Sequence, residues 1–116
     1  MASAVEMRLQ AQCAQWFWNE FPSERRMLIH VDNNSHNAIE GNRKKAMGVV
    51  RGPSDFIFIV EQAVIFIELK VEEGVQKPEQ IDFMNKVMER GHSYIIVRSF
   101  ENFKQIIWTS LKITGR

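Results

Sequence analysis

Three residues near the middle of the chain have types and spacing suited to work on a charged substrate. Asp55 opens one apolar run, Phe56-Ile57-Phe58-Ile59-Val60, while Glu68 and Lys70 close a second, Val64-Ile65-Phe66-Ile67-Glu68-Leu69-Lys70. Both runs are short and rich in Ile, Val and Phe, and Glu61-Gln62-Ala63 between them is long enough only for a turn. They read as strands Asp55–Val60 and Val64–Lys70 joined in a hairpin. With a two-residue turn, Glu61-Gln62, Val60 faces Ala63 and Asp55 falls opposite Glu68. Opposed residues share one side of a sheet, with Cβ atoms about 4.5–5.5 Å apart. Lys70 lies two residues beyond Glu68 and therefore on the same side. A three-residue turn would shift the register by one and make the Asp55–Glu68 contact diagonal.

Two carboxylates held that close repel, and one of their pKa values rises unless a cation sits between them. Mg²⁺ answers that need, because it takes oxygen ligands, one or two of them carboxylates, and keeps several waters. Such an ion polarises a phosphodiester and lowers the pKa of a bound water. A lysine beside it can orient or deprotonate that water, or balance charge developing on the phosphate oxygens. The plainer reading makes Asp55 a residue that follows a turn, and Glu68 with Lys70 a solvated pair at a strand end. Phe66, Ile67 and Leu69 count against it: a strand apolar on both faces is an interior strand, where charges need a partner or a metal.

The elements that must position these groups can be read along the chain. A helix over Ala4–Glu20 follows from Val5, Leu9, Cys13 (or Gln12) and Trp16 recurring at three-to-four spacing, and Pro22 ends it. Met27–Val31 reads as a strand, and Asp32–Asn37 as a polar, turn-rich segment. Ala38–Met47 fits a short helix or a basic loop equally well. Gly48 and Gly52-Pro53 mark the boundary before the hairpin, and Glu72-Glu73-Gly74 forms a loop after it. A helix starts at Pro78, runs through Ile81, Met84, Val87 and Met88, and stops at Gly91. Tyr94–Val97 is a strand, and Ser99 caps a last helix carrying Phe103, Ile106, Ile107 and Leu111. The order is α-β-(loop)-β-β-α-β-α. Val64–Val97 can form a right-handed parallel crossover beside the antiparallel hairpin, giving a mixed sheet with helices packed on it.

Composition narrows the class. The chain has 116 residues, 45% hydrophobic and 25% charged, as expected of one ordinary globular domain. No apolar run approaches the roughly 20 residues a bilayer requires. The first residues, Met1-Ala2-Ser3-Ala4-Val5-Glu6, lack the basic-then-apolar pattern of a secretory signal, so a cytoplasmic location is expected. Cys13 stands alone, which excludes an intrachain disulfide and a cysteine metal cluster, and it reads as a buried helix residue. A net charge of +1 gives no global pull toward nucleic acid. Arg43, Lys44, Lys45 and Arg51 nevertheless cluster just ahead of Asp55, with Arg25 and Arg26 upstream, and a local cluster can supply phosphate contacts. The spacing of His30, His36 and His92 matches no common zinc pattern, so they are expected to be structural or on the surface. Trp16, Trp18 and Trp108 could stack on bases, but core packing is the expectation for Trp16 and Trp108. There is no repeat, low-complexity stretch or linker.

Taken together, Gly48-Val49-Val50-Arg51-Gly52-Pro53-Ser54-Asp55-Phe56, then Phe66-Ile67-Glu68-Leu69-Lys70, then Gln80 at the start of a helix, resemble the virus-type replication-repair nuclease (VRR-NUC) domain, a branch of the PD-(D/E)xK nuclease superfamily. The resemblance extends from the helix bearing Glu6 to the strand around Ile96. It implies an α/β, restriction-endonuclease-like core over residues 1–116, with a mixed central sheet flanked by helices in the order α-β-β-β-α-β-α. It implies that Asp55 and Glu68 bind a metal, joined by the backbone carbonyl of Leu69, that Lys70 is the catalytic lysine, and that Gln80 is the helix glutamine close to the site. Glu6 is the best match for a further glutamate from the first helix. Glu20, next to Phe21-Pro22, is a poorer one, and Asn33 after the first strand is a weaker neighbour still. The weaker alternatives make Glu6 a solvated acid favoured by the helix dipole and Gln80 an ordinary polar residue of a first helical turn. By the same resemblance the activity would be Mg²⁺- or Mn²⁺-dependent endonuclease cleavage of DNA, selective by structure for branched forms such as four-way junctions. The protein would be a homodimer presenting two sites, with Arg43, Lys44, Lys45 and Arg51 on the DNA. The short, stand-alone form suggests a phage or mobile-element source, acting in a host cytoplasm. Two rivals remain: a DNA-binding module with the same fold and no catalysis, which has no need of Lys70, and an interaction protein whose hairpin presents Phe56, Phe58 and Phe66.

Overall fold

The hairpin is the centre of the molecule. Strand β2 (Phe56–Val60) pairs antiparallel with β3 (Ala63–Leu69), from Val60 opposite Ala63 to Phe56 opposite Ile67. The turn is therefore the two-residue Glu61-Gln62, not three residues, and the register puts the next pair, Asp55 and Glu68, across from each other. Strand β1 (Leu28–His30) pairs antiparallel with the outer edge of β2, and β4 (Ser93–Val97) runs parallel to β3. The sheet order β1-β2-β3-β4 leaves β3 interior, as its two-sided apolar pattern requires. The computed structural model of the chain describes residues 4–32, 37–50, 54–71 and 74–113. Its helices are α1 (Ala4–Glu20), α2 (Ala38–Ala46), α3 (Pro78–Glu89) and α4 (Phe100–Ile113).

Side-chain alternation along β3 divides the structure into two layers. Ile65, Ile67 and Leu69 join Phe56, Phe58 and Val97 on one face, against Cys13 and Phe17 of α1 and Phe103, Ile107 and Leu111 of α4. Phe17 meets Phe58 edge-on with ring centroids 5.5 Å apart, and Phe103 meets Phe56 at 5.8 Å. Each of these buried phenylalanines is worth about 3–5 kcal/mol against alanine. Phe56 and Phe58 are thus core residues, which removes the reading in which they face a partner. Cys13 is fully buried as expected, and burial pushes its thiol up to about 12. On the opposite face α3 covers β3 and β4, with Phe83 against Phe66 at 5.2 Å and Tyr94 at 6.2 Å. The β1–β2 half of that face carries the exposed Ile29 and Ile59.

Several local expectations are corrected or resolved. The first strand is shorter than Met27–Val31, because Pro22 does more than end α1: it opens a 3₁₀ helix, Pro22–Met27, that takes up the chain before Leu28. The Ala38–Met47 segment is a helix. The Asn37 side chain accepts from Glu40 N at 2.8 Å to start it, and Gly48 at φ +95° ends it, with Val49 N returning to Lys44 O at 2.9 Å. Ser99 Oγ caps α4 through Asn102 N at 3.1 Å. Trp16 packs edge-on against Phe21, Phe100 and Phe103. Trp108 is not core. It is 55% exposed, because the buried stripe of α4 is Phe103, Ile107 and Leu111, and Trp108 falls one residue, about 100°, off it. No helix among the described residues is long and apolar enough to cross a membrane.

The hairpin turn carries one strained residue. Gln62 sits at φ 65°, a left-handed conformation that a side chain makes unfavourable by about 1–2 kcal/mol and glycine does not. Gln62→Gly is expected to raise stability by about 1 kcal/mol, read as a higher urea midpoint at unchanged slope. A lower midpoint would mean that the Gln62 side chain stabilises the turn.

Candidate active site

The site forms where the hairpin ladder runs out. Beyond Phe56 and Ile67 the backbone of β2 no longer offers a carbonyl to Leu69 N–H, and the Asp55 side chain takes that place, Oδ2 accepting from Leu69 N at 2.7 Å. The Asp55 backbone is fixed as well. Its carbonyl accepts from Val31 N at 2.8 Å and from His30 Nδ1 at 3.0 Å, and the preceding Ser54, fully buried, donates its hydroxyl to Phe56 O at 2.6 Å. Gln10 Nε2 lies 3.2 Å from the other ring nitrogen of His30, linking α1 to the same point.

Glu68 is 1% exposed, on the α3 face of an interior strand. Its Oε1 accepts from the Tyr94 hydroxyl and from Gln76 Nε2 at 3.2 Å. Its Oε2 is buried with no hydrogen bond among the described residues, and Lys70 Nζ stands 3.5 Å away. The Lys70 side chain is itself largely buried, and its backbone N–H is anchored on Val97 O at 3.0 Å. Gly74 lies over the lysine stem: a Cβ there would come within 3.4 Å of Lys70 Cδ and 3.2 Å of Val71 O. Glu6 reaches the rim from α1, Oε2 accepting from Val71 N at 3.3 Å. Glu20 lies fourteen residues further along α1, about 21 Å at the helical rise, and is exposed.

The electrostatics follow from this geometry. The Asp55 carboxyl is held above its ordinary value, first by burial. The Leu69 hydrogen bond opposes that, the negative charges of Glu68 and Glu6 add to it, and Lys70 opposes it again. Asp55, Glu68, Glu6 and Lys70 therefore share one field. Among the described residues no three His, Cys, Asp or Glu side chains close into a metal shell. What fits a divalent cation is the pair of hard carboxylates, Asp55 and Glu68, with the Glu68 Oε2 buried and without a hydrogen bond among the described residues, since hard oxygen ligands suit hard divalent ions.

Other candidate residues are placed as follows. Gln80 turns its Oε1 to Lys77 N at 2.9 Å and closes the start of α3. The glutamine that meets the buried carboxylate is Gln76, in the loop before it. Neither Gln76 nor Tyr94 stands out in the sequence. The one available signal for Tyr94 is register, since its pairing with Phe66 sets a hydroxyl-bearing side chain on the face of Glu68. Arg43 and Lys45 are exposed on the last turn of α2, and Lys44 pairs with Glu40 at 3.2 Å. Arg25 is used locally, its Nε on Trp18 O at 2.8 Å and its guanidinium over the Trp18 ring at 4.8 Å. His92 Nδ1 accepts from Val64 N at 3.3 Å, so His30 and His92 are structural. Arg51, Asn33 and His36 lie outside the described residues.

No family model matches the sequence, and no curated protein matches it either. Among solved structures, one described as a "VRR_NUC domain protein" superposes with a TM-score of 0.79 over 97% of this chain and 92% of its own, at 18% sequence identity. This chain has the VRR-NUC fold. The mixed four-stranded sheet flanked by helices is accordingly a restriction-endonuclease-like α/β core. In this VRR-NUC fold the Asp55, Glu68 and Lys70 cluster occupies the end of the central strands.

The raised Asp55 pKa has a definite sign. In the folded state its ionised form is disfavoured relative to the unfolded chain, so ionisation costs stability above the folded pKa, and that cost disappears as pH falls below the unfolded value of about 4. Asp55→Asn, which keeps the acceptor for Leu69 N, is expected to melt higher than wild type in EDTA at neutral pH, the gap closing toward pH about 4. Mn²⁺ should raise the melting temperature of wild type and not of the variant. A variant that melts lower at neutral pH would refute this account of the site's strain.

Proposed function

We propose that the chain is a Mg²⁺- or Mn²⁺-dependent DNA endonuclease that hydrolyses phosphodiester bonds and selects branched DNA such as four-way junctions. The observation that carries the proposal is the buried Glu68 Oε2, without a hydrogen bond among the described residues, with Lys70 Nζ 3.5 Å away. A buried carboxylate oxygen is expensive unless a cation compensates it. One lysine at 3.5 Å leaves room for a second positive charge.

Asp55 and Glu68, with the Leu69 carbonyl, would hold the metal, and Glu6 would stand at its border. Bound there, the ion would act as a Lewis acid on the phosphate and supply an acidified water. Lys70 would place its ammonium against the reacting phosphate, where it steadies developing negative charge or exchanges a proton with the attacking water. Asp55, tied to Leu69 N–H, keeps the two strand ends in register while charge shifts between them. Gln80 serves the chemistry through the start of α3, which sets the path of the Gln76 loop. Arg43, Lys44, Lys45 and Arg51 would contact phosphates outside the cleavage point, reading shape rather than base sequence.

A homodimer suits this reading. A two-fold pair presents two sites to a two-fold substrate, and the exposed Ile39, Met47 and Val50, in and after α2, give the chain apolar surface to bury.

The test is a cleavage panel of single-strand, duplex, flap and four-way junction DNA in Mg²⁺, Mn²⁺ and EDTA. Cleavage should need the metal and be fastest on the junction. Lys70→Ala should bind Mn²⁺ and junction as wild type does, yet lose about 100-fold or more in turnover. Tight junction binding with no cleavage in either metal would instead make the chain a non-catalytic DNA-binding module. On the same junction, neutralising Arg43 and Lys45 should weaken binding and flatten its salt dependence. Light scattering of the complex should count two protein chains, and a monomer on the junction would end the paired-site idea.

A further inference from the structure

The two oxygens of Glu68 are treated differently by their surroundings. Oε1 has two neutral donors, the Tyr94 hydroxyl from β4 and Gln76 Nε2 from the loop before α3. Oε2 has no hydrogen bond among the described residues and has Lys70 Nζ at 3.5 Å. Tyr94 is itself buried and packed, its ring stacked on Phe66 at 6.5 Å and edge-on to Phe83 at 6.2 Å, so its hydroxyl cannot swing to water. Gln76 is held from its other side by a 3.7 Å contact of Nε2 with Met84 Sδ. Neither contact belongs to the backbone ladders that pair β3 with β2 and β4.

We propose that Tyr94 and Gln76 are positioning residues that occupy Oε1 of Glu68, so that only Oε2 is offered to the divalent cation and the site favours a small octahedral ion over Ca²⁺. This deepens the nuclease reading and rests on it. The chemistry is one of denticity. Mg²⁺ and Mn²⁺ sites are met by single carboxylate oxygens in a near-octahedral set, whereas Ca²⁺ takes six to eight oxygens and readily uses both oxygens of one carboxylate. A Glu68 whose Oε1 already accepts two hydrogen bonds is a poor bidentate ligand. Freeing Oε1 makes Glu68 more mobile, which costs affinity for the strict ion, and also admits the bidentate mode, which Ca²⁺ can use.

The experiment is calorimetric titration of the full chain with Mn²⁺ and, separately, Ca²⁺, for wild type, Tyr94→Phe and Gln76→Leu, with a thermal melt of each as a check on folding. In wild type Mn²⁺ should bind more tightly than Ca²⁺. Tyr94→Phe and Gln76→Leu should each weaken Mn²⁺ by about 10-fold or more, the usual effect of removing an outer hydrogen bond from a metal ligand. Ca²⁺ should weaken less or gain, so the Mn²⁺/Ca²⁺ ratio falls. Equal weakening of both ions in both variants would mean a purely structural role and overturn the proposal, as would unchanged affinities. If Tyr94→Phe fails to fold, Gln76→Leu, altered at a half-buried loop position, decides alone. A wild-type chain that binds neither ion would instead remove the metal-dependent nuclease reading, and this proposal with it.

Discussion

A carboxylate has been placed inside the sheet with one oxygen that accepts no hydrogen bond among the described residues, and much of the molecule is arranged to make that tolerable. Glu68 sits on an interior strand, 1% exposed, where an ionised group without compensation would cost several kcal/mol. Lys70, two residues on, answers part of the charge, while Tyr94 and Gln76 saturate one oxygen. The remaining oxygen has the Lys70 ammonium at 3.5 Å and no hydrogen bond among the described residues, beside a second carboxyl that burial already pushes toward protonation. Stability alone would replace this group of charges with apolar side chains, as their neighbours Phe66 and Ile67 show is possible in the same strand. Local strain of this kind is characteristic of a site built for a ligand or for chemistry.

The placement depends on a turn of two residues. Because side chains alternate along a strand, a shift of one residue in the hairpin would move Glu68 out of register with Asp55. The chain accepts a left-handed Gln62 to keep the turn that short. The register is then secured at the other end by Asp55 itself, whose side chain replaces the missing ladder acceptor for Leu69 N–H. One residue thus ends the sheet and begins the site, and its backbone carbonyl is fixed by Val31 and His30 from the neighbouring strand.

Legibility in the sequence tracked how local each determinant was. The hairpin, its register and the interior position of β3 could be read because they depend on residues within a dozen positions and on a period of two. The parallel partner β4 and the capped helices α3 and α4 were readable for the same reason. Helix α2 was undecided because Ala38–Ala46 buries no residue and so has no apolar period; its Asn37 cap and Gly48 stop are what define it. Trp108 was misread because composition suggests burial, while position relative to the stripe of Phe103, Ile107 and Leu111 decides it. Tyr94 and Gln76 were invisible as site residues for a different reason. Their contact with Glu68 spans 26 positions in one case and a patternless loop in the other, and neither residue type announces a role. The acidic and basic members of the site were conspicuous because charges in an apolar strand are anomalous. Neutral donors that orient them are not.

The two faces of the sheet also divide their labour. The α1 and α4 face is filled with interlocking aromatic and aliphatic groups from Phe17 to Leu111. That face can be rigid without regard to chemistry. The other is covered by α3 only over β3 and β4, and the cover ends beside Glu68, where the loop carrying Gly74 and Gln76 lies over Lys70. A helix extended over β1 and β2 would bury Ile29 and Ile59 and strengthen the core, but it would also close the approach to the Asp55 side of the hairpin. Among the described residues that half of the sheet stays outside the cover of α3, so the apolar burial of Ile29 and Ile59 is given up beside the charged cluster.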